Sequence, residues 1–292
     1  MSVQILQEKI RTMKNPIIVS LEPTPELIPR YLFEGSESLV ECCDRFCRGL
    51  LESLHHLVPG VRFCLGSFLA LGPQGLSILP PLMSLAKELG YYILLDGIPD
   101  CWSEMGQLLA QSVFGPNASY PADSVILNGY CGSDGVSVWL PYCKNQEKSI
   151  FVLVKSPNRS SVEIQDLYLG GRLVHTAMAD LIGHWGSDGK MAGGYTDVGA
   201  VVGAPYPDSI RNLREKYTRM FLLVTGVDSS RASPKKCVPA FDRFGHGAAV
   251  CAGSSVLGAW RSSDSDGRDY PEKAVESVQR LLKNLNRYLT IL

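Results

Sequence analysis

Short apolar runs alternate with stretches of helical periodicity along almost the whole chain, which is the pattern of an α/β protein. The predicted strands are Ile17–Leu21, Val61–Ser67, Tyr91–Asp96, Ser124–Asn128, Ile150–Lys155, Val198–Gly203, Met220–Thr225 and Ala248–Ala252. The predicted helices are Leu39–Leu57, Leu76–Leu89, Met105–Phe114, Leu167–Trp185 and Asp208–Thr218. Because no break in composition divides these elements, the pattern favours one closed TIM (β/α)8 barrel over two open sheets.

Both ends of the chain are predicted to add a helix to this barrel. The first residues, MSVQILQEKIRTMKN, read as a short amphipathic helix. The segment Glu272–Leu289 is predicted to be a closing helix, because its apolar side chains repeat on one side. Polar segments predict loops at Ser156–Ser161, Ser187–Gly194 and Ser229–Lys236, and Ser262–Asp269 is expected to join the barrel to the closing helix. In a barrel the loops that follow the strands face the ligand, so any loss of chemistry should show there.

Composition narrows the range of partners. The chain has 292 residues and a net charge of −1, which gives no overall field for nucleic acid or an anionic membrane. Nucleic acid is therefore not indicated as a partner, although a local basic patch keeps it open. No apolar run reaches the roughly 18 residues that span a bilayer. We expect an intracellular, cytoplasmic chain, with a mitochondrial location as the alternative if the basic first segment is a transit peptide.

Cysteine and histidine usage predicts neither a metal site nor a cofactor. The nine cysteines are an odd number without C-x-x-C pairs, which argues against a disulfide framework and against a zinc ribbon. They read as small buried hydrophobes in a reducing compartment. The five histidines never form H-x-x-x-H. No histidine is near Cys101 in sequence, so this thiol is a weak candidate for a nucleophile.

Asp96 ends a predicted buried strand, where an α/β barrel keeps its chemistry. Two and five residues later stand Ile98 and Cys101, at positions where a proton-transfer site would use a lysine and a second carboxylate. The segment therefore indicates an enzyme scaffold whose active centre has been largely dismantled.

Five further strings, in order, carry a family resemblance. They are NPIIVSLEPTPELIP (Asn15–Pro29), VRFCLGSFLALG (Val61–Gly72), ILNGYCG (Ile126–Gly132), SPN (Ser156–Asn158) followed by Ile164 and Gln165, and GAVVGAPYP (Gly199–Pro207). With them the chain resembles orotidine 5′-monophosphate decarboxylases, in particular the longer bacterial and kinetoplastid-like branch. The last string is the most specific of them. The resemblance implies one decarboxylase-like barrel domain over residues 1–292.

The catalytic signature departs from that family. Its third strand carries Asp-x-Lys-x-x-Asp, and a lysine on the second strand completes a charged network. Here Asp96 matches the first acid, Ile98 replaces the lysine and Cys101 replaces the second acid. Arg62 replaces the second-strand lysine. In the family a lysine stabilises and protonates the carbanion, which Ile98 cannot do, and a guanidinium with a pKa above about 12 is a poor acid. The resemblance therefore implies a catalytically degenerate member, with Asp96 and Arg62 as remnants.

The family's phosphate clamp is also altered. Its seventh loop, Pro-Gly-x-Gly-x-Gln-Gly-Gly, is here TGVDSSRA (residues 225–232), so Asp228 brings a negative charge. The eighth-strand Ser-Arg becomes GSS (residues 253–255), which removes a phosphate-binding guanidinium. Arg231 is the candidate replacement. The remaining substrate-binding candidates are Glu22, which stands where the family's acid meets the ribose, and Asn128 and Gln165, whose alternative role is to satisfy loop backbone.

The resemblance thus implies a pseudoenzyme, a barrel kept as a structural or regulatory subunit. Active relatives are dimers with sites at the interface, so we expect a homodimer, a heteromer with a catalytic relative, or a larger complex. Trp102, Tyr130 and Trp139 are expected around the mouth of the barrel, where a partner could cover them, with simple loop packing as the alternative. Two alternatives stay open: an active decarboxylase of pyrimidine (UMP) biosynthesis with a modified site, and a nucleotide-binding sensor.

Overall fold

Eight parallel strands close into a barrel in the computed structural model, which describes residues 2–35, 38–187, 194–262 and 266–292. The barrel strands are β1 Ile17–Leu21, β2 Gly60–Cys64, β3 Tyr92–Asp96, β4 Ser124–Leu127, β5 Ser149–Lys155, β6 Val198–Gly203, β7 Leu222–Thr225 and β8 Ala248–Ala252. Each strand pairs with its sequence neighbours, and β1 pairs with β8 to complete the ring. The predicted TIM (β/α)8 barrel is confirmed.

Helices surround the barrel, so its strands are buried on both faces and are apolar almost throughout. The helices are α1 Ser2–Met13, α2 Leu39–Leu54, α3 Leu65–Leu69, α4 Gly72–Glu88, α5 Ser103–Phe114, α6 Ser133–Ser137, α7 Leu140–Asn145, α8 Val162–Gln165, α9 Val174–Trp185, α10 Pro207–Lys216, α11 Pro234–Cys237, α12 Ser254–Leu257 and α13 Tyr270–Leu285. Short 3-10 turns lie at Pro25–Leu27, Arg30–Phe33, Gly129–Cys131, Arg159–Ser161, Val238–Ala240 and Ala259–Ser262.

Two predicted elements are wrong in part. The second strand stops at Cys64, and the rest of the predicted run Val61–Ser67 lies in α3. The predicted helix Leu167–Trp185 begins only at Val174, because a two-stranded antiparallel hairpin occupies residues 168–173. The turn of this hairpin is Gly170-Gly171, and both residues have positive φ (+56° and +87°). Two adjacent glycines can adopt that backbone without strain, whereas a helix would lose stability there.

Helix α1 closes the amino end of the barrel through residues far away in the chain. The Val3 amide donates to Asp197 Oδ1, just before β6, over 3.4 Å, and the Gly247 amide, just before β8, donates to Gln7 Oε1 over 2.8 Å. Ser2 Oγ lies 2.6 Å from the Tyr92 hydroxyl. The apolar face of α1 is buried against this end of the barrel.

Helix α13 packs on α2, with the ring centroids of Tyr270 and Phe46 5.0 Å apart. Both end helices are therefore present as predicted, with α13 ending earlier, at Leu285. Met1, residues 188–193 of the predicted loop Ser187–Gly194, and residues 263–265 of the predicted connection Ser262–Asp269 lie outside the described residues.

Candidate functional site

A cavity of about 440 Å³ opens at the carboxyl ends of the strands. This end of the barrel gathers side chains from every strand, because all strands are parallel. Part of its wall is apolar and is formed by Ile98, Ile126, Leu127, Leu153 and Val201. Five charged side chains also line it: Glu22, Arg62, Asp96, Asp100 and Asp228. The volume is sufficient for a small organic ligand.

Arg62 lies at the centre of this charge cluster, with only 12% of its side chain exposed. Its Nε lies 3.4 Å from Asp96 Oδ2, and its Nη2 lies 3.7 Å from Glu22 Oε2. The guanidinium also donates to Cys64 Sγ over 3.1 and 3.3 Å. Strand β2 lies between β1 and β3, so these partners reach Arg62 from both sides.

The surroundings of Arg62 keep it charged. Burial by itself would lower the pKa of the guanidinium, but Cys64, Cys251 and Asp96 more than offset this effect, so that the net pKa lies above its ordinary value. For the acid Glu22, burial has the opposite effect and raises the pKa, although Arg62 counteracts part of the rise. Burial raises the pKa of the Cys64 thiol to about 12 although Arg62 opposes it. Arg62 is therefore a fixed cation, and Cys64 is a thiol and not a nucleophilic thiolate near neutral pH.

Ile98 lines the cavity, and no lysine does so within the described ranges. Lys155, at the end of β5, has a side chain that is 1% exposed and lies outside the lining. Its Nζ lies 2.7 Å from Asp166 Oδ1 and 4.5 Å from the centroid of the Tyr206 ring. Among the described residues, Arg62 is thus the single cation of the cavity wall.

Asn128 lies in the cavity and Cys101 lies beside it. Asn128 Nδ2 donates to Asp100 Oδ2 over 2.9 Å, and its Oδ1 accepts the Tyr130 amide over 3.2 Å. Cys101 lines a narrow neighbouring cleft together with Cys131. Cys101, which stands at the position of the family's second acid, is therefore not part of the main cavity lining.

Gln165 and Arg231 are placed outside the cavity lining, where they hold the loop after β5. Gln165 Oε1 accepts the Ser156 amide over 2.9 Å, and Gln165 Nε2 donates to Ser156 Oγ over 2.8 Å. Arg231 Nη2 donates to the Pro157 carbonyl over 2.6 Å, and its guanidinium lies 5.5 Å from the Tyr206 ring centroid. Of the four substrate-binding candidates, the structure brings only Glu22 and Asn128 to the cavity.

Asp228 occupies the end of the cavity formed by β7 and β8. Its Oδ2 accepts the Gly253 amide over 2.7 Å. The Glu22 carboxylate packs on the same glycine, since a β-carbon on Gly253 would overlap Glu22 Oε1. Cys64, Cys251 and Asp100 also belong to the site but were not among the predicted site residues. Apolar periodicity alone does not distinguish a thiol that contacts Arg62 from one in the core.

The three aromatic residues expected around the mouth differ in exposure, and Trp139 follows the alternative of loop packing. Trp102 and Tyr130 are exposed, by 56% and 80%. Trp139, in contrast, is 2% exposed and packs edge-on against Phe114, with the ring centroids 5.5 Å apart. Trp139 lies directly before α7, and its ring partner Phe114 is the last residue of α5.

Within the described residues, no three His, Cys, Asp or Glu side chains are grouped closely enough to hold a metal ion. None of the helices in these same ranges combines the length and the apolar stretch that a membrane-spanning helix requires.

Known proteins resemble the chain along most of its length, although no protein-family model matches it. The orotidine 5′-phosphate decarboxylase of Rhodopirellula baltica is 28% identical over 255 residues, covering 84% of each chain. That of Clostridium novyi is 22% identical over 275 residues, covering 94% of this chain and 95% of its own. The structure of Leishmania donovani OMP decarboxylase aligns with a TM-score of 0.74 at 22% identity, covering 97% and 98%. The structural likeness shows the shared fold, and the sequence similarity supports membership of the orotidine 5′-phosphate decarboxylase family.

Proposed function

We propose that the chain is a degenerate member of the orotidine 5′-phosphate decarboxylase family that acts as a structural or regulatory subunit of a dimer or larger assembly. The observation that carries the proposal is the cation of the cavity. It is a guanidinium, held by two carboxylates and a thiol, and no ammonium group lines the cavity in the described part of the chain.

Loss of carbon dioxide from a pyrimidine ring leaves a carbanion that must be stabilised and protonated. General acid assistance is typically worth about 10²–10⁴-fold in rate. Ile98 has no ionisable proton, and the raised pKa of Arg62 opposes proton donation. The described lining of the cavity thus lacks a group suited to protonating the carbanion.

Asp96, the remaining acid, is also poorly suited to destabilise the substrate carboxylate. A carboxylate that destabilises the substrate carboxylate has to present uncompensated negative charge. Asp96 faces Arg62 at 3.4 Å, so much of its field is cancelled at short range. The two remnants neutralise each other.

The test is an assay of the purified chain with orotidine 5′-monophosphate, following release of carbon dioxide. We expect no turnover above buffer, and clear turnover would overturn the proposal. The double variant Ile98→Lys, Cys101→Asp is the matched comparison. If the wild-type chain is active and the double variant leaves its activity unchanged, the family's lysine and second acid are dispensable here.

The second candidate is an active decarboxylase of pyrimidine (UMP) biosynthesis with a modified site. Its support is the similarity to relatives named decarboxylases over 84% of both chains, and these comparisons favour it over a non-catalytic role. In that case Arg62 and Asp96 suffice, or a partner subunit supplies the lysine. The same assay, with and without candidate partner subunits, separates the two functions.

The subunit role is supported by apolar side chains exposed on the loops and helices that follow β3, β4 and β5. They include Trp102, Met105, Leu108, Tyr130 and Tyr168. Exposed apolar side chains on the segments after three neighbouring strands are typical of a protein interface. We infer that a second copy of this chain covers it, as in the dimers that the resemblance implies. Sedimentation equilibrium should give a dimer, whereas a monomer at all concentrations would favour a different partner.

A further inference from the structure

The backbone amide of Gly253 lies at the end of the cavity and points at a carboxylate of the same chain. Free amides at the end of a strand are anion-binding groups, because they are unpaired donors with partial positive charge. Here the acceptor is Asp228 Oδ2, 2.7 Å away. The anion position at this amide is therefore filled by a side chain.

A second carboxylate covers the same glycine. Glu22 packs where a β-carbon of Gly253 would be, and Asp228 is one of the charges that raise the pKa of Glu22. A phosphate group at this amide would have to displace Asp228 and then lie beside Glu22. Both steps bring like charges together.

No cation in the described lining of the cavity is free to offset that repulsion. Arg62 is already engaged by Glu22, Asp96 and Cys64, and Arg231 donates to the Pro157 carbonyl outside the lining. A phosphate monoester adds a charge of about −1.5 to −2 at neutral pH. The described lining already holds four carboxylates against one guanidinium.

We propose that Asp228 is a specificity-determining residue that excludes phosphate monoesters, so that the cavity takes an unphosphorylated, hydroxyl-bearing ligand of nucleoside size. Sugar hydroxyls would donate to the carboxylates, and a planar ring would pack on the apolar wall formed by Ile98, Ile126 and Val201. The inference rests on the proposed family membership and names the ligand class of that same cavity.

Calorimetry with uridine and uridine 5′-monophosphate tests this without any need for turnover, so its outcome is independent of the decarboxylase assay. The wild-type chain should bind uridine at least about tenfold more tightly than the monophosphate. Asp228→Ala should improve binding of the monophosphate by roughly tenfold and leave uridine within about twofold. Asp228→Asn should give a smaller gain, because its amide oxygen still accepts the Gly253 amide.

Two matched controls show whether the effect depends on the position of Asp228 or only on the loss of one negative charge. Asp100→Asn removes a carboxylate from the same cavity but away from Gly253, and Asp208→Asn removes an exposed one on α10. Neither should reproduce the gain of Asp228→Ala. The proposal is overturned if the wild-type chain prefers the monophosphate, if Asp100→Asn gains as much as Asp228→Ala, or if correctly folded Asp228→Ala binds neither ligand.

Discussion

Arg62 and Asp96 face each other from neighbouring strands, with 3.4 Å between Nε and Oδ2 at the floor of the cavity. Only 12% of the Arg62 side chain and 28% of the Asp96 side chain are exposed. Breaking a pair that is this far removed from water costs more stability than breaking a surface pair, because the remaining charge lacks both solvent and partner.

Replacing Arg62 by Met should therefore destabilise the chain. We expect a loss of about 1–3 kcal/mol in the free energy of unfolding, since Asp96 and the partly exposed Glu22 lose their common partner. Urea unfolding measures the loss. The control is Arg48→Met, which breaks the helix-surface pair with Asp44 at 2.7 Å and should cost only about 0.5 kcal/mol. Equal losses for the two variants would show that the cavity pair adds no stability.

Gly226, which precedes the loop carrying Asp228, should not tolerate a side chain. It has φ +73°, and a β-carbon would lie 2.4 Å from Pro157 Cβ. Gly226→Ala should lower the free energy of unfolding by about 2–4 kcal/mol, from backbone strain and overlap together. Gly90→Ala is the matched control, because Gly90, just after α4, has φ +82° and a β-carbon there would have nothing within 4 Å. That variant should lose about 1–2 kcal/mol, and a Gly226 loss no larger than this would exclude the overlap.

Substitutions of Trp139 and Trp102 should affect different properties, the first the stability of the fold and the second the self-association of the chain. Trp139→Ala should cost about 3–5 kcal/mol, because it empties a buried site against Phe114. Trp102→Ala should change the free energy of unfolding of the monomer by less than about 0.5 kcal/mol. It should instead weaken self-association, measured by sedimentation at several concentrations. An unchanged dimer affinity would remove Trp102 from the interface.

Asp197 should make stability depend on pH between about 4 and 6. Burial raises its pKa from 3.8 to about 6, against the opposing hydrogen bond from the Val3 amide. The folded chain therefore holds this proton more tightly than the unfolded chain. The resulting contribution to stability is present below pH 4 and is lost as pH rises through 6.

Asp197→Asn, which cannot ionise, should remove that loss. Relative to the wild-type chain it should gain up to about 2–3 kcal/mol between pH 4 and pH 7. Unfolding curves across this range measure the difference. Asp208→Asn, at a side chain that is 87% exposed, should show no comparable trend. A gain for Asp197→Asn that does not vary with pH would have to come from another cause than the raised pKa.

The barrel and the location of its cavity were predictable because they follow from local patterns. Each apolar run has the length of a buried strand, and parallel strands necessarily bring their carboxyl ends together. This places Glu22, Arg62, Asp96 and Ile98 at one end without any knowledge of side-chain contacts.

The rest of the site depends on contacts between residues distant in the chain. Nothing in the local pattern shows that Arg231 turns to the Pro157 carbonyl, or that Gln165 binds Ser156. The hairpin at residues 168–173 differs from the predicted helix because the apolar residues around it fit either element, and the glycine pair at its turn favours the hairpin. Trp139 is buried by packing against Phe114, a contact that its position in the sequence does not reveal.

The closure of the amino end by α1 has a consequence for folding. Two hydrogen-bond partners of this helix, Asp197 and Gly247, lie 194 and 240 residues further along the chain. Contacts over such separations form late, because long loops must close before they can be made. Helix α1 should therefore complete its docking only after the last strands of the barrel have paired.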